Sequence, residues 1–213
     1  MKFGVIGLGR FGYQVATVLS ENGMEVVAVD NNEPIVASIS NQVTQALCMN
    51  VTDEAGLRAI GMDEMDTVVV AMGENFAGSI LITALLKKKL NVPKVITRAI
   101  NDIHKEIVTL VGADQVVLPE REIGIRLADN LSSPFTDLVR LSKEFAVSQM
   151  PVPHSFIGHT IASLNLYENY GLSCVGVKRG STIDAADPGY VLTAKDRIIV
   201  AGNREHIAQL THL

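Results

Sequence analysis

Two textures follow one another along this chain. Up to about residue 133, short apolar runs are separated by longer stretches whose apolar residues recur at helical spacing. The strand-like runs are Lys2–Ile6, Glu25–Val29, Gln45–Met49, Thr67–Ala71, Lys94–Thr97 and Gln115–Leu118. Helix-like stretches lie between them, the longest over Asn75–Leu90. In the first of them Val15, Val18 and Leu19 give one apolar face, and Gly23 reads as its C-cap. Apolar strands alternating with helices predict a parallel sheet covered on both faces. The fold class is α/β, a Rossmann-like doubly wound parallel sheet of six strands without large insertions.

Ser132-Ser133-Pro134 interrupts this pattern, and Phe135–Lys143 reads as a short connecting segment. Beyond it the strands alternate and turn residues are closer together. Glu144–Met150 is predicted as a strand ended by Pro151 and Pro153, and Thr160–Tyr170 as a short helix stopped by Gly171. Leu172–Lys178 and Asp196–Ala201 read as strands and Arg204–Leu210 as a terminal helix, with turns at Arg179-Gly180 and Asp187-Pro188-Gly189. The expected organisation is a nucleotide-binding domain over 1–133 and a smaller α+β domain over 137–213. The second is small enough to gain from packing against another copy of itself.

The chemistry collects at the ends of the predicted strands. Gly7-Leu8-Gly9-Arg10-Phe11-Gly12 stands between the first strand and the first helix, and Asp30 ends the next strand. Gly7 permits a tight turn, Gly9 lets backbone approach a pyrophosphate, and Gly12 lets the helix pack close to the strand. The helix N-terminus supplies unpaired N–H groups and partial positive charge. Asp30 can accept from ribose hydroxyls and would repel a 2′-phosphate, which disfavours NADP. Arg10 is unusual in such a loop. It is either a solvent-exposed loop-tip charge or a planar, charge-assisted contact for a terminal phosphate.

Ligands in open α/β sheets bind beyond the carboxyl ends of the strands. Asn31 and Asn32 follow the second strand, Asn50 and Val51 the third, Met72, Gly73 and Glu74 the fourth, Arg98 the fifth and Glu120 the sixth. Asn50 has helix capping as its alternative, Gly73 a plain turn, and Glu120 a first-turn dipole role. His104, at the start of a predicted helix, reads by default as a surface residue. The usual strand order places Arg98 and Glu120 away from the first-strand loop, as groups for a neighbouring subunit's ligand or a shared metal.

Composition narrows the classes. The 213 residues carry a net charge of −5, no Trp and few aromatics, which argues against a nucleic-acid partner. No apolar stretch reaches the roughly 18–20 residues that span a bilayer, and no signal peptide is evident. Cys48 and Cys174 are isolated in sequence and read as buried small hydrophobes. His154, His159, His206 and His212 have no orienting carboxylate at an informative spacing. Ser155, Ser163 and Ser173 lack a nucleophile-elbow context, and no Walker-type loop is present. The phosphate site is built to hold rather than to cut. A small NAD-dependent oxidoreductase is the alternative reading, and a redox sensor or repressor on the same fold a third.

The GLGRFG loop, Ala28-Val29-Asp30, Val69-Val70-Ala71-Met72-Gly73, Gly112-Ala113-Asp114 and Leu118-Pro119-Glu120 resemble the cytoplasmic regulatory subunits of Ktr/Trk potassium-uptake systems. These are built from RCK (regulator of potassium conductance) domains. The resemblance covers essentially the whole chain and is more Ktr-like than Trk-like, because one copy of each domain follows a GLGRFG loop at the N-terminus. It implies a non-enzymatic homo-oligomer, an eight-membered ring of dimers, at the inner face of the cell membrane beneath a potassium-translocating partner subunit. ATP, ADP or NAD(H) would alter the ring and gate the partner. By position Arg10 matches an arginine that reaches the terminal phosphate of ATP, often from the neighbouring subunit. Asp30 matches the ribose acid, while Asn32, Asn50, Arg98 and His104 fall at nucleotide-contact positions. Glu120 matches a glutamate associated with a divalent cation at the dimer interface. Some relatives bind cyclic di-AMP in the C-terminal domain, but Tyr167 stands here where those carry a basic residue, which speaks against that ligand.

Overall fold

A computed structural model describes residues 1–73, 75–132 and 137–210. Glu74, the Ser133-Pro134 interruption and His212 lie outside the described residues. The chain divides into two units, Met1–Arg121 and Glu122–Leu213.

In the first unit the apolar runs become β1 (Lys2–Ile6), β2 (Glu25–Asp30), β3 (Gln45–Cys48), β4 (Thr67–Val70), β5 (Lys94–Arg98) and β6 (Gln115–Val117). Between them run α1 (Arg10–Glu21), α2 (Glu33–Ile39), α3 (Glu54–Ala59), α4 (Phe76–Lys88) and α5 (Asp102–Val111). Then α6 (Pro119–Ser132) follows β6. The strands are parallel in the order β3-β2-β1-β4-β5-β6. The order reverses between β1 and β4, which opens a crevice at their carboxyl ends.

Successive strand residues serve opposite faces of this sheet. Val5, Val26, Ala28 and Val69 pack with Leu8, Ala16 and Ile39, whereas Ile6, Val29, Val68 and Val70 pack with Leu57, Ile82 and Leu86. Each such fully buried side chain contributes about 1.5–3 kcal/mol. On α1, Val15 and Leu19 join the core but Val18 stays exposed. Cys48, expected inside, is exposed because it ends β3, the edge strand; Cys174 is half-buried.

The helices of this unit start at their own side-chain caps. Asn32, Asp53, Asn75 and Asn101 accept from backbone N–H groups at the N-termini of α2, α3, α4 and α5. Asp53, not Asn50, closes α3. At α1 the capping position is Gly9, with no side-chain cap and no acidic residue in the first turn.

The second unit holds an antiparallel sheet in the order β10-β9-β11-β8-β7. Its strands are β7 (Asp137–Arg140), β8 (Phe145–Pro151), β9 (Leu172–Arg179), β10 (Thr182–Ala185) and β11 (Arg197–Asn203). Alternate residues of β8 and β11 are buried, and Ala146, Met150, Ile198 and Val200 meet Phe156, Leu166, Leu192 and Ile207. The connecting segment expected over Phe135–Lys143 is thus in part a strand, β7. Pro151 does not end β8 but pairs with Arg197 as its last residue. The helix expected over Thr160–Tyr170 is broken. Asn165, at φ 42°, separates a 3-10 turn (Ala162–Leu164) from α7 (Leu166–Tyr170). The chain continues from β11 into α8 (Arg204–Gln209).

Candidate functional site

The glycine loop derives its shape from two of its three glycines. Gly7 has φ +94°, in the left-handed region that favours glycine. Any Cβ on Gly12 would overlap the Gly7 carbonyl oxygen, so the turn and the first coil of α1 touch backbone to backbone. Gly9 differs. A Cβ there would meet no protein atom within 4 Å, so the space beside it is open.

Asp30 holds this loop in place. Its Oδ2 accepts from the Leu8 N–H at 2.6 Å and its Oδ1 from the Asn32 N–H at 2.8 Å. Each oxygen keeps a lone pair for a ribose hydroxyl.

A cleft of about 1090 Å³ opens over the carboxyl ends of β1, β2, β4 and β5. Of the residues expected at a ligand, Gly7, Gly9, Arg10, Phe11, Asp30, Asn31, Asn32, Asn50, Val51, Met72, Gly73, Arg98 and Glu120 line it. Arg10 is exposed and pairs with no described residue. Gly12 is buried beneath the loop, and Glu74 lies outside the described residues. Asn32 has a second duty, since its side chain accepts from Ile35 N–H to cap α2.

Arg98 and Glu120 were expected away from the glycine loop, yet they share its cleft. The Arg98 side chain turns back across β4, so that a Cβ on Gly73 would overlap its Nη1. Its Nη2 donates to Glu120 Oε1. The Glu120 carboxyl lies below its ordinary range, first through its own backbone N–H at the start of α6, then through Arg98 against a smaller cost of burial.

His104 is not a surface residue. It is fully buried and does not line the cleft. Its Nδ1 accepts from Ile100 N–H at 3.3 Å, and Nε2 lies 2.7 Å from Ser79 Oγ. An acceptor at Nδ1 puts the proton on Nε2, which then donates to Ser79, while Ser79 Oγ donates to Phe76 O at 3.0 Å. Burial lowers the His104 pKa, so the ring is neutral. Thr83 Oγ1 donates to Ser79 O at 2.7 Å and meets Thr97 Oγ1 at 2.8 Å. This buried chain ties α5 and α4 to β5, the strand that ends in Arg98.

Tyr13, Ile35, Ser38, Met49 and Asn75 also line the cleft and were not anticipated. Tyr13 and Ser38 belong to a polar bridge between α1 and α2. Gln42 Nε2 donates to Tyr13 Oη at 2.8 Å and to Ser38 O at 3.1 Å. No strand-end rule finds such helix-flank residues. A polar residue on the sheet-facing side of α1, four positions after Gly9, was the available signal.

Comparison with known proteins agrees with this geometry. Residues 3–119 match the model of the TrkA-N domain and residues 147–213 that of the TrkA-C domain. The chain is 35% identical over 210 residues to Ktr system potassium uptake protein C of Bacillus subtilis, covering 98% of this chain and 95% of the relative. The chain belongs to the Ktr/Trk potassium-uptake family. It is also 34% identical over 209 residues to Ktr system potassium uptake protein A of Vibrio alginolyticus, covering 97% of this chain and 94% of that one. Among solved structures, the GsuK channel bound to NAD is similar over all of this chain and 39% of its own, with a TM-score of 0.70 and 19% identity. GsuK bound to ADP is similar over 61% of this chain and 33% of its own, with a TM-score of 0.52 and 22% identity. This chain spans less than half the length of those two structures, and at such identity the likeness is one of fold.

Proposed function

We propose that this family member is a nucleotide-sensing regulatory subunit for a membrane potassium-translocating partner of Ktr/Trk type. The carrying observation is the cleft at α1. The one first-unit helix that starts at this crevice has no cap of its own, and Arg10, without a partner, stands beside it. A phosphate chain would accept from the exposed N–H groups of α1, with Arg10 at its terminal phosphoryl group. Asp30 would hold the ribose. Asn50, Val51, Met72 and Gly73 would flank the adenosine, and Arg98 would extend the positive wall. The ligand is ATP or ADP, with NAD(H) as the dinucleotide alternative that the solved neighbour's ligand brings forward.

The divalent cation that the resemblance ties to Glu120 does not fit the described residues by themselves. Glu120 is engaged by Arg98, and no three His, Cys, Asp or Glu side chains cluster as a metal site among the described residues. His104, buried and neutral, would act as a brace rather than a contact.

ATP and ADP differ by one phosphoryl group, and that difference gates only if it favours one conformation over another. The proposed assembly is a homo-oligomer, dimers closing into an octameric ring, at the inner face of the membrane beneath its partner. None of the described helices is long and apolar enough to cross a bilayer. The test is calorimetric titration of the full chain and Arg10→Ala with ATP and ADP, together with native mass measurement. Tighter ATP binding that Arg10→Ala abolishes, in a multi-subunit species, supports the reading. A monomer indifferent to adenine nucleotides, or turnover of NADH with carbonyl acceptors, overturns it.

A further inference from the structure

The doubly wound crevice has two halves. A dinucleotide places one nucleoside over the strands on the β1–β3 side and the other over the β4–β6 side of the switch point. The first half is open here: Asp30, Asn50 and Val51 face the cleft and Gly9 leaves space beside it. The second half is not. Arg98 lies down across the end of β4, so close to Gly73 that no Cβ fits between them. Glu120, from the start of α6, holds the far end of the guanidinium. The Arg98 side chain is only 19% exposed, so the ion pair is part of the cleft floor rather than a mobile fringe.

We infer that Arg98, held by Glu120, occupies the seat of a second nucleoside and so sets the choice of this cleft for adenosine di- and triphosphates over dinucleotides. This rests on the nucleotide reading above and goes beyond it in naming the residue that selects. A nicotinamide riboside would have to lift the guanidinium off Gly73 and break its pair with Glu120. A phosphoryl oxygen needs no such displacement, because a planar guanidinium is a fitting partner for phosphate. Arg98 Nε, buried and without an acceptor, is a further donor still to be satisfied. The same group is thus an obstacle to one ligand class and a contact for the other.

The experiment is titration of the full chain with ADP and with NADH, for the wild type, Arg98→Ala and Arg98→Gln. Gln keeps an amide beside Glu120 should Ala misfold. The wild type is expected to bind ADP at least about tenfold more tightly than NADH. Removing the guanidinium is expected to tighten NADH itself about five- to tenfold, a gain that mere loss of a phosphate contact cannot produce. ADP binding should stay the same or weaken. Equal affinities in the wild type, or NADH binding that is unchanged or weaker in cooperatively melting variants, overturns the selection by Arg98 alone. Absence of binding by either nucleotide to the wild type overturns the nucleotide reading, and this inference with it.

Discussion

The Asp30 carboxylate grips the Leu8 N–H at 2.6 Å, across 22 residues of sequence, so the acid at the end of β2 also sets the position of the glycine loop after β1. One side chain therefore serves architecture and ligand together. Asp30→Ala strands the Leu8 and Asn32 N–H groups, and the expected loss is about 1–3 kcal/mol of stability alongside a tenfold or greater loss of ADP affinity. Urea denaturation and calorimetry read the two effects. An Asp30→Ala protein that melts like the wild type would refute the architectural role.

The glycine loop gives a contrast between two alanines. Gly12→Ala drives a Cβ into the Gly7 carbonyl oxygen, with backbone on both sides, and should cost more than about 3 kcal/mol or prevent folding. Gly9→Ala meets no protein atom and sits at extended φ and ψ, so its melting temperature should match the wild type while nucleotide binding falls. If Gly9→Ala binds ADP normally, the phosphate chain does not pass over that residue.

Buried His104 makes the first unit sensitive to acid. Its folded pKa lies below the ordinary value near 6.5, so its stabilising effect is complete above that value. As pH falls below about 6.5 the unfolded chain takes up the proton first, and stability declines by up to about 1.4 kcal/mol per pH unit until the folded pKa is passed. Chemical denaturation between pH 8 and 5 should show this slope, and a His104→Gln protein should lack that component.

Asp196 is the corresponding polar anchor of the second unit. Burial works to raise its pKa, but the Thr193 N–H and hydroxyl, both at 2.8 Å, and the Tyr190 hydroxyl at 3.0 Å hold it below the ordinary range. That contribution is present above pH 4 and is lost as pH falls through the folded value. Asp196→Ala should destabilise the unit by about 1–3 kcal/mol by stranding these donors, seen as a lower denaturation midpoint. An unshifted midpoint would exclude it.

The six parallel strands were legible to within a residue at their ends because each is an apolar run bounded by turn residues. The second unit was less so, for local reasons. All four residues of β10 are exposed, so Thr182–Ala185 has no apolar alternation to betray it. Asn165 enters the left-handed region in the middle of an apparently helical pattern. In the site, strand ends announced Asp30 and Asn50, but reach cannot be read from sequence. Arg98 spans from β5 to Gly73 because its side chain is long, and His104 is interior because Ser79 and Phe76 on α4 enclose it.

The open start of α1 makes solution conditions part of this protein's behaviour. Sulfate, phosphate or citrate will compete for the same backbone amides that a nucleotide would take. Apparent affinities should therefore weaken with such anions more than with chloride at equal ionic strength. A preparation purified from phosphate buffer will melt higher, and titrate more weakly, than one purified without it.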